Sequence, residues 1–256
     1  MSDWEQAPPP RLYKYLRPDR IDVLQNCRIC FSHRSAFEDD HELQPDYAMF
    51  GTETEIRHFV NSGHKNWPGE VPSDDVIRII ASSQHYQATA IKTARRNMRS
   101  PDEFGIFCLT EQPDSERMWA EYADSGRGFV MGFDTSHSEF TQLTRPGRIG
   151  RVCYSDEPFG SFLGTFSDVA ATFFRKRMKY EFEHEWRSIR ALRHLEQRSA
   201  TVFLSQFHPA SVREIIMHKA CAVEAELIEI CRRDARYSHV QLTTCGLICR
   251  GGSCLF

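Results

Sequence analysis

The chain has 256 residues, 41% of them hydrophobic and 26% charged, with a formal net charge of −3. That length supports one sizeable core or two small ones, and the composition excludes disordered and collagen-like chains. The weakly acidic balance excludes a global electrostatic footprint for nucleic acid, and basic runs such as Arg95-Arg96 and Arg175-Lys176-Arg177 are short enough to be solvated helix faces.

Residues 1–10 are polar and end in Pro8-Pro9-Pro10, which predicts a flexible tail. Arg11 to Leu16 is short and aromatic and reads as a first strand closed by Pro18. Asp19 to Asn26 suggests a short helical turn with Ile21, Val23 and Leu24 inward, and Cys27 to Ser32 a second strand. A polar acidic loop over 33–50 precedes Glu53 to Asn61, where Ile56, Phe59 and Val60 form a helical stripe. After a loop at Trp67-Pro68-Gly69, Ser73 is a good N-cap, with Asp74 and Asp75 in the first turn of a long helix to about Met98.

Phe104 to Leu109 predicts a third strand and Ser115 to Ala123 a short helix. Ser125-Gly126-Arg127-Gly128 turns the chain into a strand over Phe129 to Phe133. Gly150 to Tyr154 reads as a strand, Phe166 to Met178 as a helix with Val169, Ala170, Phe173 and Phe174 inward, and Glu183 to Leu192 as a strand. Short strands at Val202 to Leu204 and Val212 to Met217, a helix over Ala222 to Arg236 and a strand over Val240 to Thr244 complete the core. Strands and helices do not alternate strictly, so a βαβ parallel sheet is not expected. The expected fold is α+β: one domain over 11–244, with a mixed, mostly antiparallel sheet, open to being split, flanked by helices. A Cys/Gly-rich tail over 245–256 follows.

No apolar run approaches the ~20 residues of a membrane span, and the N-terminus lacks the pattern of a signal peptide. Nine Cys, an odd number, argue for free thiols in a reducing compartment. The expected location is cytoplasmic. Cys27-x-x-Cys30 in a strand would point to opposite faces, a poor geometry for zinc. Cys245, Cys249 and Cys254 are a looser group, and no metal site is predicted. There is no HExxH and no Gly-x-Ser-x-Gly, and His33, His41, Asp39 and Asp40 lack a metal spacing. Ser125-Gly126-Arg127-Gly128 matches neither a Walker nor a Rossmann phosphate loop.

The densest polar segment is Tyr180-Glu181-Phe182-Glu183-His184-Glu185-Trp186-Arg187. Strand alternation places Glu183, Glu185 and Arg187 on one face, continuing into Ile189 and Ala191. Such a face runs from a cleft mouth into the core. A carboxylate there is partly desolvated and needs a partner such as Arg187. The bland alternative is a solvated charge ladder. Tyr13 and Tyr15 share one face of the first strand and Lys14 takes the other. The two rings could hold a planar ligand or simply fill the core. Ser32 ends the second strand, where it could orient a ligand hydroxyl or serve a turn. Trp119 and Tyr122 share a helix face, as a binding pair or as packing.

These segments, in order, resemble a bacterial family catalogued as domain of unknown function 2971 (DUF2971). Its pattern is met by Leu12-Tyr13-Lys14-Tyr15, Phe31-Ser32 with Phe37-Glu38-Asp39, and Cys108-Leu109-Thr110. It continues with Met118-Trp119-Ala120-Glu121-Tyr122-Ala123, Gly128 to Asp134, and Val152-Cys153-Tyr154. It closes with Lys176 and Glu183-His184-Glu185-Trp186-Arg187. The acidic loop departs from the pattern, with Glu38 for Asn and Asp40 for Pro.

The segments also resemble ADP-ribosyltransferases, including the type that modifies DNA, which bind NAD in a cleft of a split sheet. Tyr13 or Lys14, Ser32 and Glu185 fall in that family's order, and the reading built on the resemblance is an enzyme of bacterial defence or stress in which Glu185 and Glu183 are catalytic. Tyr13, Lys14, Tyr15, Ser32, Trp119, Tyr122 and Arg187 would bind ligand, NAD would be the substrate, and the acceptor is left open. Two other readings stand beside it: a non-catalytic nucleotide- or protein-binding module, and a metal-dependent nucleic-acid hydrolase.

Overall fold

A computed structural model describes residues 6–37, 39, 42–43, 46–62, 72–97, 101–137, 140, 148–165 and 169–245. In chain order the first elements are β1 (Arg11–Leu16), α1 (Asp22–Asn26), β2 (Arg28–His33), β3 (Tyr47–Met49) and α2 (Glu53–Asn61). Next come α3 (Asp74–Ser82), α4 (Gln84–Asn97), β4 (Phe104–Thr110), α5 (Glu116–Tyr122) and β5 (Phe129–Asp134). Then follow β6 (Arg148–Arg151), β7 (Cys153–Tyr154), β8 (Phe159–Ser161), α6 (Phe162–Thr165), β9 (Arg175–Lys176) and β10 (Glu185–Ala191). The last are β11 (Glu196–Gln197), β12 (Val202–Gln206), β13 (Val212–His218), α7 (Glu224–Arg233) and β14 (Gln241–Cys245).

Ten strands form one sheet in the order β11-β12-β2-β4-β1-β5-β13-β14, with β10 and β6 attached through β4. All its pairs are antiparallel except β13 with β14. The fold is therefore α+β with a mixed, mostly antiparallel sheet. The sheet is also divided. β10 pairs with β4 along its whole length, so the opposite edge of β4 is shared. β2 pairs at Gly105 and Ile106, and β1 at Thr110. In the fork between them Lys14 Nζ donates to the Cys108 carbonyl, 2.9 Å away. A main-chain acceptor between two diverging strands thus receives a side-chain donor.

Alternation sorts the two faces of β1. Leu12 and Leu16 enter the main core with Phe31, Phe107, Phe133 and Trp186. Tyr15 packs on the other side with Met118, Trp119 and Val130. Gly128 is required where β5 begins, because a Cβ there would stand 2.0 Å from the Leu16 carbonyl oxygen.

Several expectations need correction. The long helix is broken at Ser83, which is extended (φ −96, ψ 117), and Gln87 binds the β3–α2 turn through Phe50 N (2.5 Å) and Gly51. Ser73 occupies the N-cap position without a side-chain cap bond. The helix expected over 166–178 is a 3-10 segment, Val169–Phe174, running into β9 and then a second 3-10 turn, Met178–Glu183. Phe173 and Phe174 are both buried, and two adjacent inward residues fit a tight turn better than one helix stripe. The strand expected over 150–154 is two, because Val152 leaves the ladder and donates to the Glu185 carbonyl. Glu183 is not on a strand: His184 is left-handed (φ 41), and β10 begins at Glu185.

At the ends, Thr135 holds Pro9 and Pro10 by their carbonyls, and Cys245 closes β14 rather than opening a tail. The expectations on Glu38, Asp40, His41, Trp67-Pro68-Gly69, Met98, Phe166, Cys249 and Cys254 lie outside the described residues, as do those on the side chains of Arg95, Arg96, Val169 and Ala170.

Candidate functional site

Where β10 emerges beside β4, a cleft of about 510 Å³ opens between the start of β10, α5, the Met178–Glu183 turn and the segment around Asp39. That volume lies within the usual range of small-molecule sites. Its floor is a buried charge cluster. Arg187, wholly buried, lies beneath Glu185: Nε reaches Oε1 at 2.9 Å and Nη2 reaches Oε2 at 3.0 Å. The same guanidinium donates to the Phe173 carbonyl at 2.8 Å and to Glu42. Lys176 Nζ sits among three carboxylates: Glu183 at 2.6 Å, Glu185 at 3.3 Å and Glu42 at 3.6 Å. Glu183 accepts on its other oxygen from Tyr122 Oη at 2.7 Å.

Each position has a local cause. Strand alternation turns Glu185 and Arg187 to the same side, and Ile189 continues it into a cluster with Ile106, Phe173 and Phe174. Lys176, in β9, turns opposite to Arg175. The left-handed His184 lets Glu183 reach Lys176 from the preceding turn. Tyr154 Oη accepts from the Glu185 amide at 2.8 Å and holds the first residue of β10.

The two cleft carboxylates titrate in opposite directions. Burial would raise the Glu185 carboxyl, but Arg187 and Lys176 outweigh it and hold the group ionised well below the usual range. Burial raises Glu183, and the neighbouring Glu185 charge adds to that against the pull of Lys176. Burial opposes the Lys176 charge, but Glu185, Glu42 and Glu183 prevail and raise its pKa. Burial, then the Glu183 charge, pushes the Tyr122 phenol up. The Cys108 thiol, also in the lining, is raised strongly by burial and stays protonated.

The residues singled out from sequence are only partly brought together. Glu183, Glu185, Tyr122, Lys14, Tyr13 and Tyr15 line the cleft, and Arg187 supports its floor from beneath. Tyr15 is largely committed to packing: its ring meets Trp119 edge-on at 5.3 Å and its hydroxyl donates to the Gln112 carbonyl. Tyr13 Oη is bonded to Glu214 at 3.1 Å. Trp119, 1% exposed, is core and donates to the Pro113 carbonyl. Ser32 lies one strand away, paired with Val202 and Ile106, outside the cleft lining. The Ser125–Gly128 turn uses its amides on the end of α5: Ser125 donates to the Ala120 carbonyl, Gly126 to that of Trp119, and Gly128 to that of the C-cap residue Ala123.

Sequence reasoning did not place Glu42, Asp39, Tyr154 and Tyr180 at the site, and met Lys176 within the family pattern and as part of a solvated helix face. The second expectation is overturned, because Lys176 lies in β9 with its side chain only 8% exposed, paired to carboxylates. The one local signal for Lys176 was its place between Arg175 and Arg177, which strand alternation turns the other way. Among the described residues no group of three or more His, Cys, Asp or Glu is arranged to hold a metal ion. The described cysteines are free, and no described helix is long and apolar enough to cross a membrane.

Fold and site define an α+β protein whose divided sheet carries a cleft floored by buried, paired charges. The family model described as "Protein of unknown function (DUF2971)" matches residues 118–188, from α5 to the middle of β10, in agreement with the resemblance drawn from the sequence. No curated protein and no solved structure matches the chain.

Proposed function

We propose that the cleft takes the nicotinamide-ribosyl end of NAD, breaks its N-glycosidic bond and passes the ADP-ribosyl group to an acceptor. The observation that supports this best is the pair Glu183 and Glu185, both in the cleft lining and both on Lys176, with environments that drive their protonation apart. Two carboxyls separated in this way are the mark of a divided task. As the C–N bond breaks, its electrons leave with nicotinamide and positive charge builds on the ribose. Glu185, held ionised, stabilises that charge. Glu183, whose pKa is raised, accepts the proton of the incoming acceptor.

The lining suits the cationic end of the substrate. Asp39, Glu42, Glu121, Glu183 and Glu185 stand against Lys14 and Lys176. The roles first given to Ser32 and Trp119 pass to residues that face the cleft, and Tyr122 and Tyr180 take the stacking role from Tyr15, whose ring and hydroxyl are engaged in packing. The test is NAD consumption by wild type and Glu185→Gln, with the folded fraction checked by circular dichroism. A fall of about 10²–10³ in rate is expected on loss of one preorganised electrostatic group. Full turnover by Glu185→Gln would refute the mechanism.

One observation favours a second reading, a nucleotide-binding module without catalysis: both oxygens of Glu185 are already taken by Arg187 and Lys176. In that case Glu185→Gln loses stability while its affinity for NAD stays unchanged. The hydrolase reading is disfavoured because the central place among the three carboxylates is filled by the Lys176 ammonium.

A further inference from the structure

The two acids that face the cleft can be touched by very little. Glu183 is 4% exposed and Glu185 3%. Glu183 already has a donor on each oxygen, Tyr122 Oη at 2.7 Å and Lys176 Nζ at 2.6 Å. The walls beside it are joined to one another. Arg117 of α5 lies 3.5 Å over the ring of Phe182 in the Met178–Glu183 turn. Lys179 of the same turn stands 3.8 Å from Asp39.

A general base acts only within hydrogen-bond reach of the proton it takes. A nucleophile carried on a protein or nucleic acid would have to reach Glu183 past the bound ribose and between walls held by these contacts. A nucleic acid would also bring its phosphates against Asp39, Glu42 and Glu121 of the lining. A slender amino side chain is the strongest competitor, but Glu183 and Glu185 would favour its protonated form, which is not a nucleophile. Water meets none of these obstacles. It is small enough to touch a carboxylate that is almost closed off, and a carboxylate oxygen with one donor bound keeps a second lone pair for its proton.

Resting on the reading of the cleft given above, we infer that the acceptor is water, so that the protein hydrolyses the N-glycosidic bond of NAD and releases free ADP-ribose. The bond between ribose C1′ and the nicotinamide nitrogen breaks, and its electron pair leaves with nicotinamide, which becomes neutral. The water oxygen forms the new bond to C1′. One water proton passes to Glu183 and from there to solvent, and the other stays on the new hydroxyl. NAD and water thus give ADP-ribose, nicotinamide and one proton, with no further reactant. The raised pKa of Glu183 suits a group that must hold that proton in passing.

The test incubates the full chain with NAD labelled in its adenylate half, alone and with agmatine, a mixed protein extract, DNA or RNA. Chromatography measures nicotinamide, free ADP-ribose and label on each candidate acceptor. Free ADP-ribose equal to nicotinamide is expected in every mixture, with one proton released per turnover in weak buffer and no label on the added acceptors. Methanol, little larger than water, should divert part of the product to the methyl riboside. Glu183→Gln, checked for folding by circular dichroism, should slow ADP-ribose release by about 10²–10⁴, the scale of one general base. If nicotinamide is released but the label goes to agmatine, protein or nucleic acid, the acceptor is not water and the reading of the cleft stands. If wild type releases no nicotinamide, both are overturned.

Discussion

Replacing Arg187 by Met should be among the most damaging single changes in the protein. The guanidinium is fully buried and holds Glu185 through two bonds, Glu42 through a third and the Phe173 carbonyl through a fourth. Met fills much of the volume but leaves Glu42 and Glu185 with Lys176 as their only cation among the described residues. Breaking a buried pair from one side costs about 3–5 kcal/mol, because the remaining charge stays desolvated. For a chain of this size that corresponds to a fall of about 6–20 °C in melting temperature. Urea denaturation at neutral pH, followed by tryptophan fluorescence and circular dichroism, measures it. The double variant Arg187→Met, Glu185→Gln removes one charge of each sign and should regain part of the loss, giving a coupling above about 0.5 kcal/mol. A cost for Arg187→Met below about 1 kcal/mol, the scale of an exposed pair, would refute the view of the cluster as a desolvated keystone.

Other outcomes follow from the same geometry. Trp119→Ala should cost about 3–5 kcal/mol by cavity formation and leave nucleotide affinity unchanged in the folded fraction, which calorimetry can check. Gly128→Ala drives a methyl carbon into the Leu16 carbonyl and should exceed the usual ~1–3 kcal/mol of overpacking, read as a shift in the urea midpoint. Glu185 is held below its unfolded pKa, so its stabilisation is present above about pH 4.3 and fades as pH falls toward its folded value. Acid titration of wild type and Glu185→Gln should differ below that point. Glu183 has the opposite sign: its contribution is complete below the unfolded value and is lost as pH rises through its raised folded pKa. Glu183→Gln should therefore flatten the stability profile above pH 4.3, measured by urea titration across pH 4–8.

Much of the frame was legible because it depends on local pattern. The aromatic alternation of β1, the stripe of α2 and the short helix α5 are all short-range. The errors fell where tertiary contact decides. The apolar residues on either side of Ser83 read as one helix, but the break lets Gln87 reach the backbone at Phe50 and Gly51. The alternation that placed Glu183 on β10 ignored His184, whose left-handed backbone no period reveals. Glu185 and Arg187 were readable as a pair because they lie two residues apart on one strand. Glu42 stands 145 residues from Arg187, and nothing in the spacing of an acidic loop announces that it returns to the same pocket.

Lys176 carries one more consequence. By occupying the hub of three carboxylates, it makes the protein its own supplier of neutralising charge, tethered at a fixed local concentration whatever ions surround the molecule. Surface pairs such as Arg233–Glu229 loosen as ionic strength rises. The hub side chains are at most 8% exposed, so salt screens them much less and the floor of the cleft should loosen less than such pairs as ionic strength rises.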